Sequence, residues 1–425
     1  MDRLSRKQKL EELVKDQNNI KMTGIPLRYR GQTTQQNVYR IPLSFLVYNK
    51  YNGRIASAVF SYEKQNGKLD PEKETDNKII EKYLWESKIE RNEFTLDNLK
   101  KNGQQRYGIV TADGIIVDGN RRAMLLNKLY RDNGIDHAEY FLAIILPQDA
   151  TEKDINELEA AYQLGEDDKL DYNPIEKYLK CRQLTKSGTN EKRIAELMGE
   201  KESQIKEWLE ILGLMDKYLS NYGYDGMYTR LVADTAFVDL FKYLKSYRES
   251  NKNTRSMDWQ PGKSDLSDLQ TICFDYIRAG FEVRDIREIA KTGKAGSIFF
   301  YEGLWDEFKN EHNNNIPEEK SVEDLRAECA STDLSKLLRK RDEDWKKEIE
   351  DKFTNNLDKH KRRLEDRRDV NKPAILLDRA LNTLQQVNIT GQEGFATDSN
   401  TLLLIIADIE KIVCEMKRVL EKSAK

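Results

Sequence analysis

Hydrophobic residues change their spacing along this chain, and those changes define its segments. Residues 1–20 read as a charged helix, and residues 21–40 (KMTGIPLRYRGQTTQQNVYR) as polar, turn-rich chain with no clear period. From Val38 onward, four short runs rich in β-branched and aromatic residues read as strands: VYRIPLSFLVY, IASAVFSY, YGIVTADGIIVDG and EYFLAIILP. Residues 78–103 and 120–134 between them carry helical patterns, each closed by a glycine after a polar residue. Residues 38–148 therefore read as a small α/β domain. After Thr151 the strand signals almost vanish. Residues 151–165, 173–188 and 190–214 are successive helical periods separated by Gly or Asn-Pro punctuation. The helical pattern continues over 226–300, broken by an expected exposed loop at 246–265. The mixed-charge run 339–369 predicts a long solvated helix, and an amphipathic helix is expected after Asp398-Ser399-Asn400.

The fold class expected is α+β and multidomain, with a small α/β domain preceding a predominantly helical middle and C-terminal region. Its divisions are 1–37 (N-terminal helix and polar lead-in), 38–150 (α/β domain), 151–225 (helical domain), 226–317 (helical extension) and 318–425 (C-terminal helical module). The length of 425 residues agrees, since at roughly 150 residues per domain it predicts two to four domains.

Composition narrows the function classes. Lys and Arg number 71 against 74 Asp and Glu, a net charge of −3, which excludes nucleic-acid binding by bulk positive charge but leaves local patches open. No apolar run approaches a membrane span, and residues 1–19 lack the apolar stretch of a signal peptide, so a cytoplasmic location is expected. Four cysteines and three histidines are scattered singly, which excludes a disulfide framework and a Cys/His zinc site.

The segment most informative about chemistry is IIVDGNRRAMLL, residues 115–126. An apolar strand runs into Asp118, Gly119 and Asn120, and Arg121 and Arg122 open a helix. Backbone N–H groups of a helix start and two guanidinium groups then share one small volume, an arrangement suited to an anion such as phosphate. Glycine lets a ligand approach the backbone. On spacing alone, a simple turn with two surface arginines stays open as the alternative.

The wider stretch IVTADGIIVDGNRRAMLLNKL resembles the Gly-x-Arg-Arg box of the ParB family of nucleotide-dependent chromosome-partition proteins. IPLSFLVYNKYNGR resembles the family's first box and maps it onto Asn49, Asn52 and Arg54. LDNLKKNGQ resembles the helix and glycine before the central box, placing Gly103. LGEDDKLDYNPIEKYLKCRQL resembles the third box, with Asn173, Pro174 and Glu176 matching the helix start that follows. The resemblance spans residues 38–220. It implies a ParB/sulfiredoxin-like fold, a CTP site (with ATP as the alternative), Mg2+, a homodimer and double-stranded DNA as partner, with slow triphosphate hydrolysis as the activity. The nucleotide-binding residues it implies are Arg54, Gly103, Asp118, Gly119, Asn120, Arg121, Arg122, Lys169 and Asn173.

The third box departs from the family pattern. Gly165, Glu166 and Lys169 stand where the family has Glu, Asn and Arg. Glu166, Asp167 and Asp168 still offer hard oxygen ligands for magnesium, with Glu166 and Asp167 as candidate catalytic acids; a solvated acidic loop is the other reading. Residues 58–87 are longer than the family's spacing and leave base specificity open. Sulfiredoxin shares the fold, but Asn120 occupies the place of its catalytic cysteine, and no cysteine precedes Cys181.

Residues 190–214 carry a helix-turn-helix pattern with Gly199 at the bend, and Lys201, Ser203, Gln204 and Lys206 are the candidates for DNA contact. Residues 189–217 nevertheless hold five Lys/Arg against seven Asp/Glu, an adverse balance for phosphate contact, so a helical hairpin serving only packing is the alternative. In the C-terminal module a broad apolar stripe from Leu402 to Leu420 fits either a dimer or partner-protein contact or an ordinary core helix packed on 373–391. The basic clusters 339–341 and 359–363 are the best local positive charge. These features lead to a nucleotide-controlled DNA clamp or regulator, associated with the nucleoid and serving plasmid maintenance, transcriptional control or phage defence. The alternatives are a ParB-like metal-dependent nuclease or phosphate-transferring enzyme, and a nucleotide-independent interaction module.

Overall fold

The computed structural model describes residues 1–164, 173–231, 234–294, 296–319, 324, 325, 327, 333–387 and 399–423. The fold is α+β. A five-stranded mixed sheet near the N-terminus is followed by helices, and the chain divides into two units, Met1–Leu364 and Glu365–Lys425.

The sheet has the order β1-β2-β5-β3-β4, built from β1 (Ile20–Tyr29), β2 (Gln32–Pro42), β3 (Gly108–Val110), β4 (Ile116–Asp118) and β5 (Tyr140–Ile145). Neighbours pair antiparallel except β5 with β3. Successive side chains alternate between faces. Ile41, Val110, Ile116, Phe141 and Ala143 pack with Leu10 and Leu13 of α1 (Arg3–Lys15) in one core. Val38, Ile109, Val117 and Ile144 meet Leu158 in another.

The stretch 21–40, expected as lead-in chain without a period, is instead a β-hairpin. Met22, Ile25, Leu27 and Tyr29 of β1 face the second core, but Gly24 and Pro26 interrupt the run and residues 32–35 of β2 are polar and exposed on both faces, so the alternation is faint; Leu27 near the turn and Val38 near the base are buried and anchor the hairpin to the sheet. A second correction concerns IASAVFSY, which is not a strand but part of the helix α2 (Ala56–Asn66). Its start lacks a local side-chain cap, and the Ser57 N–H instead donates to Glu176, more than a hundred residues away, at 3.1 Å. No short-range reading reaches that partner. The helical stretch 78–103 is broken into α3 (Glu74–Glu86) and α4 (Ile89–Asn102). At the break the buried Asn92 amide donates to the carbonyls of Leu84 at 3.0 Å and Trp85 at 2.7 Å, satisfying the end of α3. After α5 (Asn120–Asn133) and β5, α6 (Glu152–Leu164) carries Leu158 onto the sheet.

The helical body continues with α7 (Pro174–Lys186), α8 (Glu191–Met198), α9 (Glu202–Asn221), α10 (Thr235–Glu249), α11 (Lys263–Ala279), α12 (Val283–Ala290), α13 (Glu302–Asn315) and α14 (Leu334–Gln385). The expected loop before α11 is present but anchored: Trp259 donates to the Phe299 carbonyl at 3.0 Å, and Thr254 is buried. The long helix α14 is likewise not solvated all round. Trp345, Ile349, Phe353, Leu357 and Leu364 bury one stripe in the aromatic core of the helical body, leaving the charges for the outer face. In the second unit α15 (Ser399–Ser423) exposes Leu403, Leu404, Ile412, Val413, Val419 and Leu420. No helix among the described residues is long and apolar enough to cross a membrane.

Candidate functional site

The turn between β4 and α5 forms the centre of the site. Gly119 adopts φ 98°, and a Cβ there would lie 2.7 Å from the Phe141 ring, so both the backbone conformation and the space call for glycine. The first amides of α5 have no intrahelical acceptor and put partial positive charge at this point.

A cavity of about 260 Å³ opens over the turn. Arg54, Asp118, Gly119, Asn120, Arg121 and Arg122 all line it, as the sequence predicts, together with Asn52, Thr95, Leu125 and Gln163. Arg91 and Arg106 also reach it, and nothing in the sequence singles them out. One lies in an unremarkable helical stretch, and the other in a loop before β3. Five arginines from four segments therefore line the cavity, and among the described residues Asp118 is the one carboxylate in its wall. Gly103 ends α4 at φ 64° and lies outside the lining.

The two signature arginines are held differently. Arg121 Nε donates to Asn92 Oδ1 at 2.9 Å. Arg122 Nη1 donates to the carbonyls of Arg106 at 2.9 Å and Tyr107 at 3.0 Å, fixing the chain that enters β3. Asn120 is buried: its Oδ1 accepts from the Asn49 N–H at 2.9 Å, while its amide donates to the Ile116 carbonyl at 3.0 Å. Its side chain thus pins the loop 49–53 to the turn. That loop is gripped from the other direction by Glu159, which accepts from Gly53 N–H at 3.2 Å, Asn52 at 3.4 Å and Asn49 at 3.3 Å.

A second cavity, of about 600 Å³, also has Arg54 in its wall. Asn173 lies here, capping α7 by accepting from the Ile175 N–H at 3.0 Å, and so does Glu176. Burial pushes the Glu176 carboxyl up to about 7, against the bonds from Ser57 that favour its charged form. Glu166, Asp167, Asp168 and Lys169 lie outside the described residues. Among the described residues no cluster of three His, Cys, Asp or Glu is arranged to hold a metal ion.

The helix-turn-helix geometry is present. Gly199 takes the left-handed conformation between α8 and α9, Asn190 caps α8 through the Arg193 N–H at 2.9 Å, and Ile194, Ala195, Met198 and Ile205 share a core with Cys181 and Leu184 of α7. Lys201, Ser203 and Lys206 are exposed at the start of α9, and Gln204 is half-buried. Lys206 pairs with Glu202 at 2.7 Å and Glu191 at 3.9 Å. Much of the C-terminal positive charge is paired too: Arg341 lies 3.6 Å from Glu319, Lys359 2.6 Å from Glu311 and Lys361 2.7 Å from Asp285, while Arg363 pairs with Glu307.

No protein-family model matches the chain, and no curated protein matches it.

Proposed function

We propose that the chain binds a nucleoside triphosphate through the arginine pocket and uses it to control a DNA contact made by α9, as ParB-type partition proteins do. The convergence of Arg54, Arg91, Arg106, Arg121 and Arg122 on the amides of the α5 start is the observation that carries this reading. Planar guanidinium forks and oriented amides together recognise phosphate oxygens. The resemblance implies CTP, with ATP as the alternative. Magnesium enters the proposal only through Glu166, Asp167 and Asp168, and slow triphosphate hydrolysis depends on the same acids.

Asn120, Asn49 and Glu159 supply a physical link from the pocket to the helical body, because Glu159 is paired with Lys180 of α7. The helix α7 shares its core with α8 and α9. A ligand that tightens the Gly119 turn therefore acts on groups joined to the helix-turn-helix. In the second unit, the exposed apolar side chains of α15 are offered to a second copy of the chain, giving the homodimer a clamp requires.

A second reading is favoured by charge. The α8–α9 segment is net acidic, and its Lys206 is already paired. In that reading the same surface meets a protein and not DNA.

Isothermal titration separates the nucleotide claim from both. Arg121→Ala and Arg54→Ala should each weaken triphosphate binding at least tenfold relative to the unaltered protein. Unchanged affinity in both variants would remove the arginine pocket from the account.

A further inference from the structure

The two cavities that share Arg54 differ in size and character. The arginine pocket, at about 260 Å³, falls short of the 300 to 1,000 Å³ typical of sites for drug-sized ligands, whereas its neighbour, at about 600 Å³, lies within that range. The smaller is walled by cations. The larger is mixed: Ala58, Tyr83, Thr229 and Glu176 line it together with Arg54, Glu86 and Lys88. The Glu176 carboxylate already accepts from Ser57, so it fixes the wall by tying the start of α2 to α7.

We propose that the larger cavity holds the heterocycle and sugar of the ligand whose phosphates occupy the arginine pocket, and that the corner between α3 and α4 selects which nucleosides fit. This rests on the nucleotide reading given above.

One side chain joins the two subsites. The Asn92 amide group donates to the carbonyls of Leu84 and Trp85, which neighbour Tyr83 in the wall of the larger cavity. Its oxygen accepts from Arg121 Nε in the smaller pocket. Asn92 is fully buried, so the corner and the arginine are set by a single fixed group. Tyr83, partly buried and in an edge contact with Tyr62, is the aromatic residue of that wall and so the group against which a heterocycle would stack. Tyr83 belongs to the stretch longer than the family spacing, and Thr229 lies beyond the resembling region. The selectivity is accordingly this chain's own.

The test compares tripolyphosphate, CTP and ATP by isothermal titration against the full chain and two variants, Ala58→Phe and Tyr83→Ala, each checked by thermal unfolding. Ala58 is only partly buried, so the added ring enters the cavity and not the core. The unaltered protein should bind at least one nucleoside triphosphate tenfold or more tightly than tripolyphosphate. Ala58→Phe should erase that preference and leave tripolyphosphate binding within twofold of the unaltered value, and Tyr83→Ala should reduce the preference severalfold. Equal affinity of the unaltered protein for tripolyphosphate and both nucleotides would overturn this inference while leaving the arginine pocket intact. So would persistence of the preference in both variants. Absence of binding by all three probes, and by GTP and UTP as well, would overturn the nucleotide reading itself.

Discussion

Lys180 Nζ donates to Glu159 Oε2 at 2.7 Å with both side chains essentially out of solvent, 1% and 0% exposed. The pair lies between α6 and α7, and the carboxylate also receives the three donors of the loop 49–53. A buried ion pair contributes little net stability compared with apolar packing, but removal of one partner is severe because the other charge stays buried. Lys180 also donates to Gln183, which in turn donates to Asn156, so the network continues along both helices.

Lys180→Met should therefore destabilise the protein by about 3 to 5 kcal/mol in denaturant unfolding, since it strands the Glu159 charge. Adding Glu159→Gln to that variant should recover much of the loss, because the amide oxygen still accepts from the loop. A single-variant loss below about 1 kcal/mol would show that the pair is not a buried charge pair in solution.

Glu176 gives a pH signature. Its folded carboxyl is raised from 4.5 to about 7 by burial, so the folded state holds the proton more tightly than the unfolded state. The stabilisation from this proton is fully present below pH 4.5, and it is lost as pH rises through 7. Glu176→Gln stays neutral and keeps an acceptor for Ser57. The stability difference between Glu176→Gln and the unaltered protein should thus grow in favour of the variant from pH 4.5 to pH 8, by up to about 3 kcal/mol. A difference independent of pH would contradict the raised value.

Arg121 and Arg122 each serve both the fold and the pocket. Arg122→Ala leaves the carbonyls of Arg106 and Tyr107 without their donor, and Arg121→Ala leaves the buried Asn92 oxygen without its own, so each should lower unfolding stability by about 1 to 3 kcal/mol. Each should also weaken triphosphate binding, by roughly 1.5 to 3 kcal/mol. Stability losses with unchanged triphosphate affinity would mean that both arginines serve the fold alone.

For DNA, Gln204→Ala and Lys206→Ala should lower discrimination between duplex sequences by about 1 to 3 kcal/mol per lost base contact. Neutralising the exposed Arg339 and Lys340 should weaken all duplexes alike and flatten the salt dependence. If both sets leave every duplex affinity untouched, the protein-docking reading of α8 and α9 is the better one.

What could be read from the sequence followed the range of the interactions. The Gly119 turn, the helix-turn-helix and the helical body are specified by residues a few positions apart, and these expectations match the structure. The hairpin Ile20–Pro42 was hidden because Gly24 and Pro26 interrupt the alternation of its first strand and residues 32–35 of its second bury neither face. The helix α2 was hidden because its cap is Glu176, and the break after α3 because Asn92 folds back onto it. Arg91 and Arg106 join the pocket through tertiary packing, which leaves no mark on local spacing.

The central claim is that the arginine pocket binds nucleotide, and titration calorimetry of the full chain with CTP, ATP, GTP and UTP, each with magnesium, tests it most directly. The account predicts saturable binding of at least one of them, weakened at least tenfold by Arg121→Ala. Absence of saturable binding for all four would contradict it.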